Sequence, residues 1–210
     1  MTKTVSVVTN ISRPYRQALF AVLKGQLAAE GLGLSVLYTS DPAKHVRRGA
    51  AGLGVDPESG EYVPGITIRA GYERVITIPT GLTRALAKRR PTCVVAGGFG
   101  PSSLACARWC RSAGIPYLLW SGAWPGQEGK IGWLQSMTRR SLVRNAAAFI
   151  TYGTAAADYL ADLGAEPSRV YCSWNTVDLE GIAAAAKAAA ARRAELTAKQ
   201  VPSPHRCTTN

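Results

Sequence analysis

The sequence predicts an α/β protein whose parallel sheet is covered by helices on both faces, a Rossmann-like arrangement. Short, continuous apolar runs such as residues 93–96 and 148–151 alternate with helical patterns, as in parallel sheets that are buried on both faces. The 210 residues are 47% hydrophobic and 18% charged, a composition that can bury a core and excludes disorder over most of the chain.

Each element has its own local signal, such as Pro14 before the first helix and Gly31 after it. We expect strands at residues 5–8, 34–38, 93–96, 116–120, 148–151 and 170–173, two weak strands at 66–69 and 75–78 in a loop-rich region, and helices at 14–30, 80–90, 102–112, 131–145 and 154–163. In two helices, apolar residues recur at helical spacing and are predicted to face the core. They are Tyr15, Leu19, Val22, Leu23 and Leu27 in the first helix, and Ile131, Leu134, Met137 and Leu142 in the helix at 131–145.

The composition changes after Asp178. We expect one Rossmann-like domain at residues 1–178, an Ala-rich connector helix at 179–200 and a disordered tail at 201–210. No apolar stretch is long enough to predict a membrane span or a signal peptide, and the five cysteines lack the spacing of a disulfide framework. A cytoplasmic protein with reduced thiols is therefore expected.

Positive charge is concentrated in the middle of the chain. The net charge is +12, and between Arg74 and Ala157 there are eleven basic residues and one acid, Glu128. This asymmetry indicates a nucleic acid, an anionic membrane surface or a phosphorylated substrate as partner, or else a solvated face. Nucleic acid is disfavoured because no known binding motif accompanies the charge.

The common cofactor and metal motifs are missing from the sequence. It contains no G-x-G-x-x-G after the first strand, no Walker A motif, no C-x-x-C pair and no H-E-x-x-H. The two histidines, His45 and His205, fall in a predicted loop and in the tail. We therefore expect neither a metal site nor a bound cofactor.

Candidate binding residues follow the strands, because ligands of such folds bind at the carboxyl edge of the sheet. Polar, glycine and aromatic residues cluster at four strand ends, which suits a hydroxyl-rich or phosphorylated ligand. The candidates are Asn10, Ser12, Arg13, Arg16, Gly98, Gly100, Ser121, Trp124 and Tyr152. Each of these features also has a purely structural alternative. In that alternative, residues 97–100 are only a tight turn, and Arg13 and Arg16 are only surface residues. Trp124 is either a lid or sugar-stacking ring, or a side chain that simply packs on the domain.

The helix at 131–145 carries a second candidate surface. Trp133, Arg140 and Arg144 share one side of it, and Arg139 lies nearby. A tryptophan among arginines without an acid is typical of a membrane interface, although a solvated basic face has the same composition.

Three stretches carry a family resemblance: LAKRRPTCVVAGGFG (86–100), ARWCRSAGIPYLLW (107–120) and FITYGTAAADYLADLGAEPSRVYCSWNTVD (149–178). Together they resemble the N-terminal half of the retaining GT-B glycosyltransferases of family 4, and residues 12–23 are also similar to some members. The final N-x-V-D turn is the most specific of these features. The likeness extends over roughly residues 1–180 and is weakest between 40 and 75.

The resemblance implies an acceptor-binding domain that works with a second domain holding a nucleoside diphosphate sugar. The reaction it implies is the transfer of a hexosyl group to a glycan or lipid-linked acceptor, with retention of configuration and without a metal. It also implies a role in polysaccharide biosynthesis and a peripheral location at the inner membrane. Asn175 and Asp178 would lie at the hinge between the domains. The alternative is a non-catalytic domain that binds anionic polysaccharide or lipid head groups, or that regulates a complete transferase.

Two departures from the family pattern matter. Where many members place a histidine after the strand at 116–120, this sequence has Ser121 and Gly122, so no catalytic residue is carried over. The Gly-Arg strand and the Glu-x7-Glu segment of the donor domain are missing from the sequence. We therefore expect a truncated, fragmentary or split enzyme that is inactive by itself.

Overall fold

The computed structural model describes residues 3–12, 14–40, 60–70, 74–128, 131–174 and 179–200. The strands are β1 (Lys3–Thr9), β2 (Leu32–Tyr38), β3 (Glu61–Tyr62), β4 (Ile66–Ala70), β5 (Arg74–Ile78), β6 (Cys93–Gly97), β7 (Tyr117–Ser121), β8 (Ala148–Thr151) and β9 (Val170–Cys172). The helices are α1 (Pro14–Ala29), α2 (Leu82–Arg89), α3 (Pro101–Ala113), α4 (Pro125–Glu128), α5 (Trp133–Asn145), α6 (Thr154–Asp162) and α7 (Leu179–Gln200), with a 3-10 turn at Pro167–Arg169.

Seven strands form one sheet in the order β3-β2-β1-β6-β7-β8-β9, and every neighbouring pair in it is parallel. Val7 of β1 pairs with Val36 of β2 on one side and with Val95 of β6 on the other. The expected Rossmann-like parallel α/β fold is confirmed. Because the strands are parallel, all their carboxyl ends lie at one edge of the sheet.

The core lies on both faces of this sheet. Adjacent residues alternate between the faces, so that Val8 and Val94 pack with α2, α3 and α6, whereas Val7 and Val95 pack with α1. On the α1 side the buried anchor is Phe20, which is 3% exposed.

The predicted buried face of α1 is partly wrong. Leu19 and Val22 are 36% and 61% exposed, whereas Phe20 and Leu23 pack against the sheet. Residues three and four apart share a helix face, so the face that packs on the sheet includes Arg16, Phe20 and Leu23. Because this face of α1, rather than the predicted one, packs on the sheet, the Arg16 side chain lies at the carboxyl edge of the sheet.

The predicted buried stripe of α5 is wrong for two of its members. Leu134 and Met137 are 65% and 59% exposed, and the buried residues of the helix are Arg139, Leu142 and Val143. Arg139 is 3% exposed. An arginine therefore occupies a core position of this helix, whereas Leu134 and Met137 face solvent.

Strands β4 and β5 form a separate antiparallel hairpin in which Ile66 pairs with Ile78 and Ile68 with Ile76. The two weak strands expected from the sequence are these strands. Short β3, at the edge of the main sheet, was not predicted.

The chain divides into two units, residues 1–176 and residues 177–210. The part of the second unit that the structure describes is helix α7, in which Leu179, Ile182 and Leu196 are more than half exposed. In the described ranges, no helix is both long enough and apolar enough to cross a membrane.

Candidate functional site

A cavity of about 790 Å³ opens at the carboxyl edge of the sheet. Its walls come from the ends of β1, β2, β6, β7 and β8, from the start of α3, and from the hairpin. The lining residues are Thr9, Asn10, Arg16, Thr39, Ser40, Ile76, Thr77, Gly97, Gly98, Phe99, Gly100, Pro101, Ser102, Trp120, Ser121, Gly122, Ala123 and Tyr152. The volume is that of a site for a small organic ligand.

Arg16 is the basic residue among those that line the cavity. Its Nη1 donates a hydrogen bond to Thr9 Oγ1 at 2.9 Å, and its Nη2 donates to the Tyr152 hydroxyl at 2.9 Å. Its Cζ lies 5.1 Å from the centre of the Trp120 ring, which makes a cation–π contact. Three elements of the sheet thus hold the guanidinium in one orientation before any ligand binds.

Trp120 and Tyr152 form the aromatic support of this arginine. Their ring centres lie 5.8 Å apart at an interplanar angle of 68°, an edge-to-face arrangement. Gly122 makes the packing possible, since a Cβ at that position would overlap the Tyr152 ring. The Trp120 Nε1 is buried without a hydrogen-bond partner among the described residues.

A row of hydroxyl groups, those of Thr39, Ser40, Thr77 and Ser102, also lines the cavity. Thr39 Oγ1 donates to the Thr9 carbonyl at 3.3 Å and lies 3.0 Å from Ser102 Oγ. Because the single hydroxyl proton of Thr39 is directed to the Thr9 carbonyl, Thr39 Oγ1 accepts a hydrogen bond from the Ser102 hydroxyl. Ser40 donates to Thr77 Oγ1 at 2.8 Å. Hydroxyls of this kind suit a ligand that is itself rich in hydroxyl or phosphate oxygens.

The turn between β6 and α3 brings backbone close to the cavity. Gly98 has φ +74°, a left-handed conformation that favours glycine, and its N–H donates to the Trp120 carbonyl at 2.8 Å. A Cβ on Gly97 would lie 3.1 Å from the Val8 carbonyl. This turn leads into the amino terminus of α3, whose backbone dipoles favour an anion at that end of the helix.

The cavity carries the positive charge of Arg16, and its described lining offers no carboxylate or imidazole that could act as a base. Among the described residues that line it, none is aspartate, glutamate or histidine. Such a site can bind and orient an anionic or polyhydroxylated molecule. General base catalysis would need a carboxylate or an imidazole from elsewhere.

A family model described as "Glycosyl transferase 4-like domain" matches residues 19–172, which is well over half of the chain. The chain belongs to this family. The family resemblance inferred from the sequence is therefore confirmed, and the fold of this glycosyl transferase 4-like domain is that of a GT-B amino-terminal domain.

Solved structures share the fold of this glycosyl transferase 4-like domain at low sequence identity. Anabaena Alr3699/HepE in complex with UDP has a TM-score of 0.55 at 11% identity and matches 85% of this chain. The S. aureus MnaA–UDP structure has 0.54 at 13% identity and matches 82%. UDP-GlcNAc 2-epimerase from Neisseria meningitidis bound to UDP-GlcNAc has 0.51 at 14% identity and matches 83%.

The domain spans less than half the length of these three proteins, namely 45%, 44% and 46%. No curated protein matches the chain.

The structure places most of the predicted site residues of the glycosyl transferase 4-like domain around the cavity. Those that line it are Asn10, Arg16, Gly98, Gly100, Ser121 and Tyr152. Ser12 is buried beside it and accepts a hydrogen bond from Gln17 Nε2 at 3.3 Å, whereas Trp124, 44% exposed, packs over Gly126. Arg13, Asn175 and Asp178 lie outside the described residues.

Sequence reasoning missed several hydroxyl-bearing residues of the cavity: Thr9, Thr39, Ser40 and Thr77. Thr39 and Ser40 directly follow β2, so the rule that ligands bind at strand ends could have found them. Thr77 reaches the cavity only because the hairpin folds back over the sheet edge, for which the local sequence has no signal.

The second candidate surface lies on α5 and does not line the cavity. Trp133 is 74% exposed, and Arg140 and Arg144 are exposed on the same helix. The exposed Leu134 and Met137 extend this surface, which we call the α5 patch (Trp133, Leu134, Met137, Arg140 and Arg144).

Two cysteines of α3 are packing residues. Cys106 and Cys110 are 0% and 1% exposed, and burial raises the pKa of the Cys106 thiol and raises that of Cys110 to about 12. Both are therefore neutral thiols near pH 7. Among the described residues no cluster of histidine, cysteine and carboxylate side chains could hold a metal ion.

Proposed function

We propose that this chain is the acceptor-binding domain of a glycosyltransferase that moves a hexosyl group from a nucleoside diphosphate sugar to a hydroxyl of a glycan or lipid-linked acceptor. The observation that carries the proposal is the cavity itself. It combines an oriented arginine, a row of hydroxyls and a glycine turn at a helix amino terminus. The UDP and UDP-GlcNAc in the three similar structures support a nucleoside diphosphate sugar as the donor.

The reaction forms a bond between the acceptor oxygen and the anomeric carbon and breaks the bond between that carbon and the diphosphate. The acceptor hydroxyl loses a proton in the process. The described lining of the cavity supplies neither a base for this proton nor a second cation for the diphosphate. In our proposal the cavity orients the acceptor, and a donor-binding domain supplies the rest of the site.

The test measures binding and turnover separately. Calorimetry with glucose 1-phosphate should show binding that Arg16→Gln weakens and that Arg84→Gln, a change at an exposed arginine of α2, leaves unchanged. UDP-glucose and GDP-mannose should not be consumed by the chain alone. Sugar transfer by the isolated chain would contradict the proposed division of labour, and failure to bind any sugar phosphate would overturn the cavity assignment.

A second candidate function rests on the α5 patch. Three exposed apolar side chains, Trp133, Leu134 and Met137, lie beside Arg140 and Arg144, and no residue of α5 is acidic. Aromatic and basic residues in this arrangement favour the interface of an anionic membrane. We propose that the α5 patch attaches the domain peripherally to such a membrane.

Vesicle sedimentation tests the attachment. The chain should bind vesicles that contain phosphatidylglycerol and should not bind vesicles of phosphatidylcholine alone. Arg140→Gln and Arg144→Gln should each weaken binding about fivefold, the equivalent of about 1 kcal/mol per basic residue at a membrane surface. Arg84→Gln is the control, and equal effects of all three changes would indicate only a diffuse attraction of the net charge.

A further inference from the structure

The hairpin formed by β4 and β5 presents an unusual surface of four isoleucines. Ile66 pairs with Ile78 and Ile68 with Ile76, so the four side chains lie on one face in two adjacent cross-strand pairs. Their exposed fractions are 59%, 44%, 49% and 43%, respectively. We call this surface the isoleucine face.

The opposite face of the hairpin attaches it to the domain. Thr77 is buried, and its Oγ1 accepts a hydrogen bond from Ser40 Oγ at 2.8 Å. The same Oγ1 lies 3.4 Å from Thr67 Oγ1 on the other strand of the hairpin. Side chains alternate between the two faces of a strand, so the isoleucines lie on the face opposite to this attachment. Threonine has a comparable β-propensity, and the strands themselves therefore do not require isoleucine at these positions.

The isoleucine face continues into the cavity. Ile76 belongs to this face and also lines the cavity beside Thr77. A molecule whose polar head contacts Arg16 and the hydroxyl row could therefore extend an apolar portion past Ile76 and over the hairpin. The two environments together fit an amphiphile with an anionic or sugar head.

We propose that the isoleucine face binds the aliphatic chain of the acceptor while the acceptor's polar head lies in the cavity. This inference rests on the proposed function, and it selects the lipid-linked class of acceptor. Four half-exposed isoleucines form a patch of a few hundred Å² at most, on the order of the largest apolar patches of monomers. A stable dimer buries about 800 Å² on each partner, so a second copy of the chain is a poor occupant for so small a face.

The experiment uses methyl, hexyl and decyl phosphate, each kept below the concentration at which it forms micelles. Calorimetry with the full chain should show that affinity rises with chain length. Half-burial of each methylene corresponds to about a twofold gain, which makes decyl phosphate about sixteenfold tighter than hexyl phosphate.

Two matched variants locate the effect. Ile68→Thr combined with Ile76→Thr should remove most of the chain-length dependence, whereas Val22→Thr should preserve it. Val22 is 61% exposed on α1 and undergoes the same kind of change. Melting curves of all variants establish that each is folded, and sedimentation velocity reports the oligomeric state.

The outcomes separate this inference from the proposed function. Equal affinity for methyl and decyl phosphate, lost in Arg16→Gln, would overturn the inference and leave the anion site standing. Decyl phosphate binding that depends on the isoleucines but is unaffected by Arg16→Gln would overturn the cavity assignment while keeping the apolar subsite. A chain-length effect that the double variant retains, or a dimer that the double variant disperses, would also overturn the inference.

Discussion

Arg16 and Tyr152 are 136 positions apart in the sequence, yet the Arg16 Nη2 donates a 2.9 Å hydrogen bond to the Tyr152 hydroxyl. The first residue lies in α1 and the second directly after β8. Their contact spans the carboxyl edge of the sheet and closes one wall of the cavity. Trp120 packs against both residues, so the three side chains act as one preorganised unit.

A double-mutant cycle measures how Tyr152 acts. Arg16→Gln should weaken binding of glucose 1-phosphate by about tenfold to a hundredfold, the effect of losing a hydrogen bond to a charged group. Tyr152→Phe should weaken it by less, because Tyr152 orients the guanidinium. The double variant should bind like Arg16→Gln alone, whereas additive losses would mean that Tyr152 contacts the ligand independently. Tyr171→Phe, at a site 61% exposed on β9, is the control.

Gly122 should tolerate no larger side chain. A Cβ there overlaps the Tyr152 ring, so Gly122→Ala should lower the free energy of unfolding by about 1–3 kcal/mol and weaken sugar phosphate binding. Gly25→Ala is the matched control, because a Cβ in that helix position meets nothing within 4 Å. It should raise the free energy of unfolding by about 0.5–1 kcal/mol, and urea titrations compare the two. Similar values for both variants would contradict the packing argument.

Arg139 should contribute strongly to stability although it lies outside the cavity. It donates to the Tyr159 hydroxyl at 2.8 Å, and its Cζ lies 4.8 Å from the centre of the Phe99 ring. Arg139→Met should lower the free energy of unfolding by about 2–4 kcal/mol, since a buried charge-assisted hydrogen bond and a cation–π contact are lost. Arg140→Met, at the exposed neighbouring position, should change it by less than about 0.5 kcal/mol. Because Phe99 lines the cavity, weaker ligand binding should accompany only the first change.

The buried thiols predict both labelling and alkaline stability. Burial disfavours the thiolate, so Cys106 and Cys110 should resist iodoacetamide at pH 8 in the folded chain, whereas exposed Cys172 should react. Mass spectrometry of peptides identifies the labelled positions. Rapid labelling of Cys106 in folded protein would contradict the packing described for α3.

The raised pKa of Cys110 determines whether the free energy of unfolding rises or falls with pH. The pKa of Cys110 rises from 9.0 to about 12 on folding, so between these values the unfolded state loses the proton first. The resulting stabilisation is complete below pH 9 and is lost as pH rises toward 12, at up to about 1.4 kcal/mol per pH unit for each such thiol. Urea titrations should show a lower free energy of unfolding at pH 11 than at pH 8, and the difference between the two pH values should be smaller in Cys110→Ala.

Local sequence was sufficient for the parallel α/β fold and for part of the cavity edge. The apolar runs that became β6 and β8 and the glycine turn at Gly98 are properties of short segments. The rule that ligands bind at strand ends then located Asn10, Arg16 and Tyr152 without knowledge of any contact. The hydroxyl pair Thr39 and Ser40 satisfied the same rule and was overlooked.

Tertiary structure alone decided which side of each helix is buried and what surrounds the charged groups. Helical spacing favoured Leu19 and Val22, but packing on the sheet selected Phe20 and with it the direction of Arg16. Arg139 is a core residue because the Tyr159 hydroxyl accepts a hydrogen bond from its guanidinium and the Phe99 ring makes a cation–π contact with it. Sequence periodicity specifies the geometry of an element, whereas the environment of a side chain depends on partners that only the folded chain brings together.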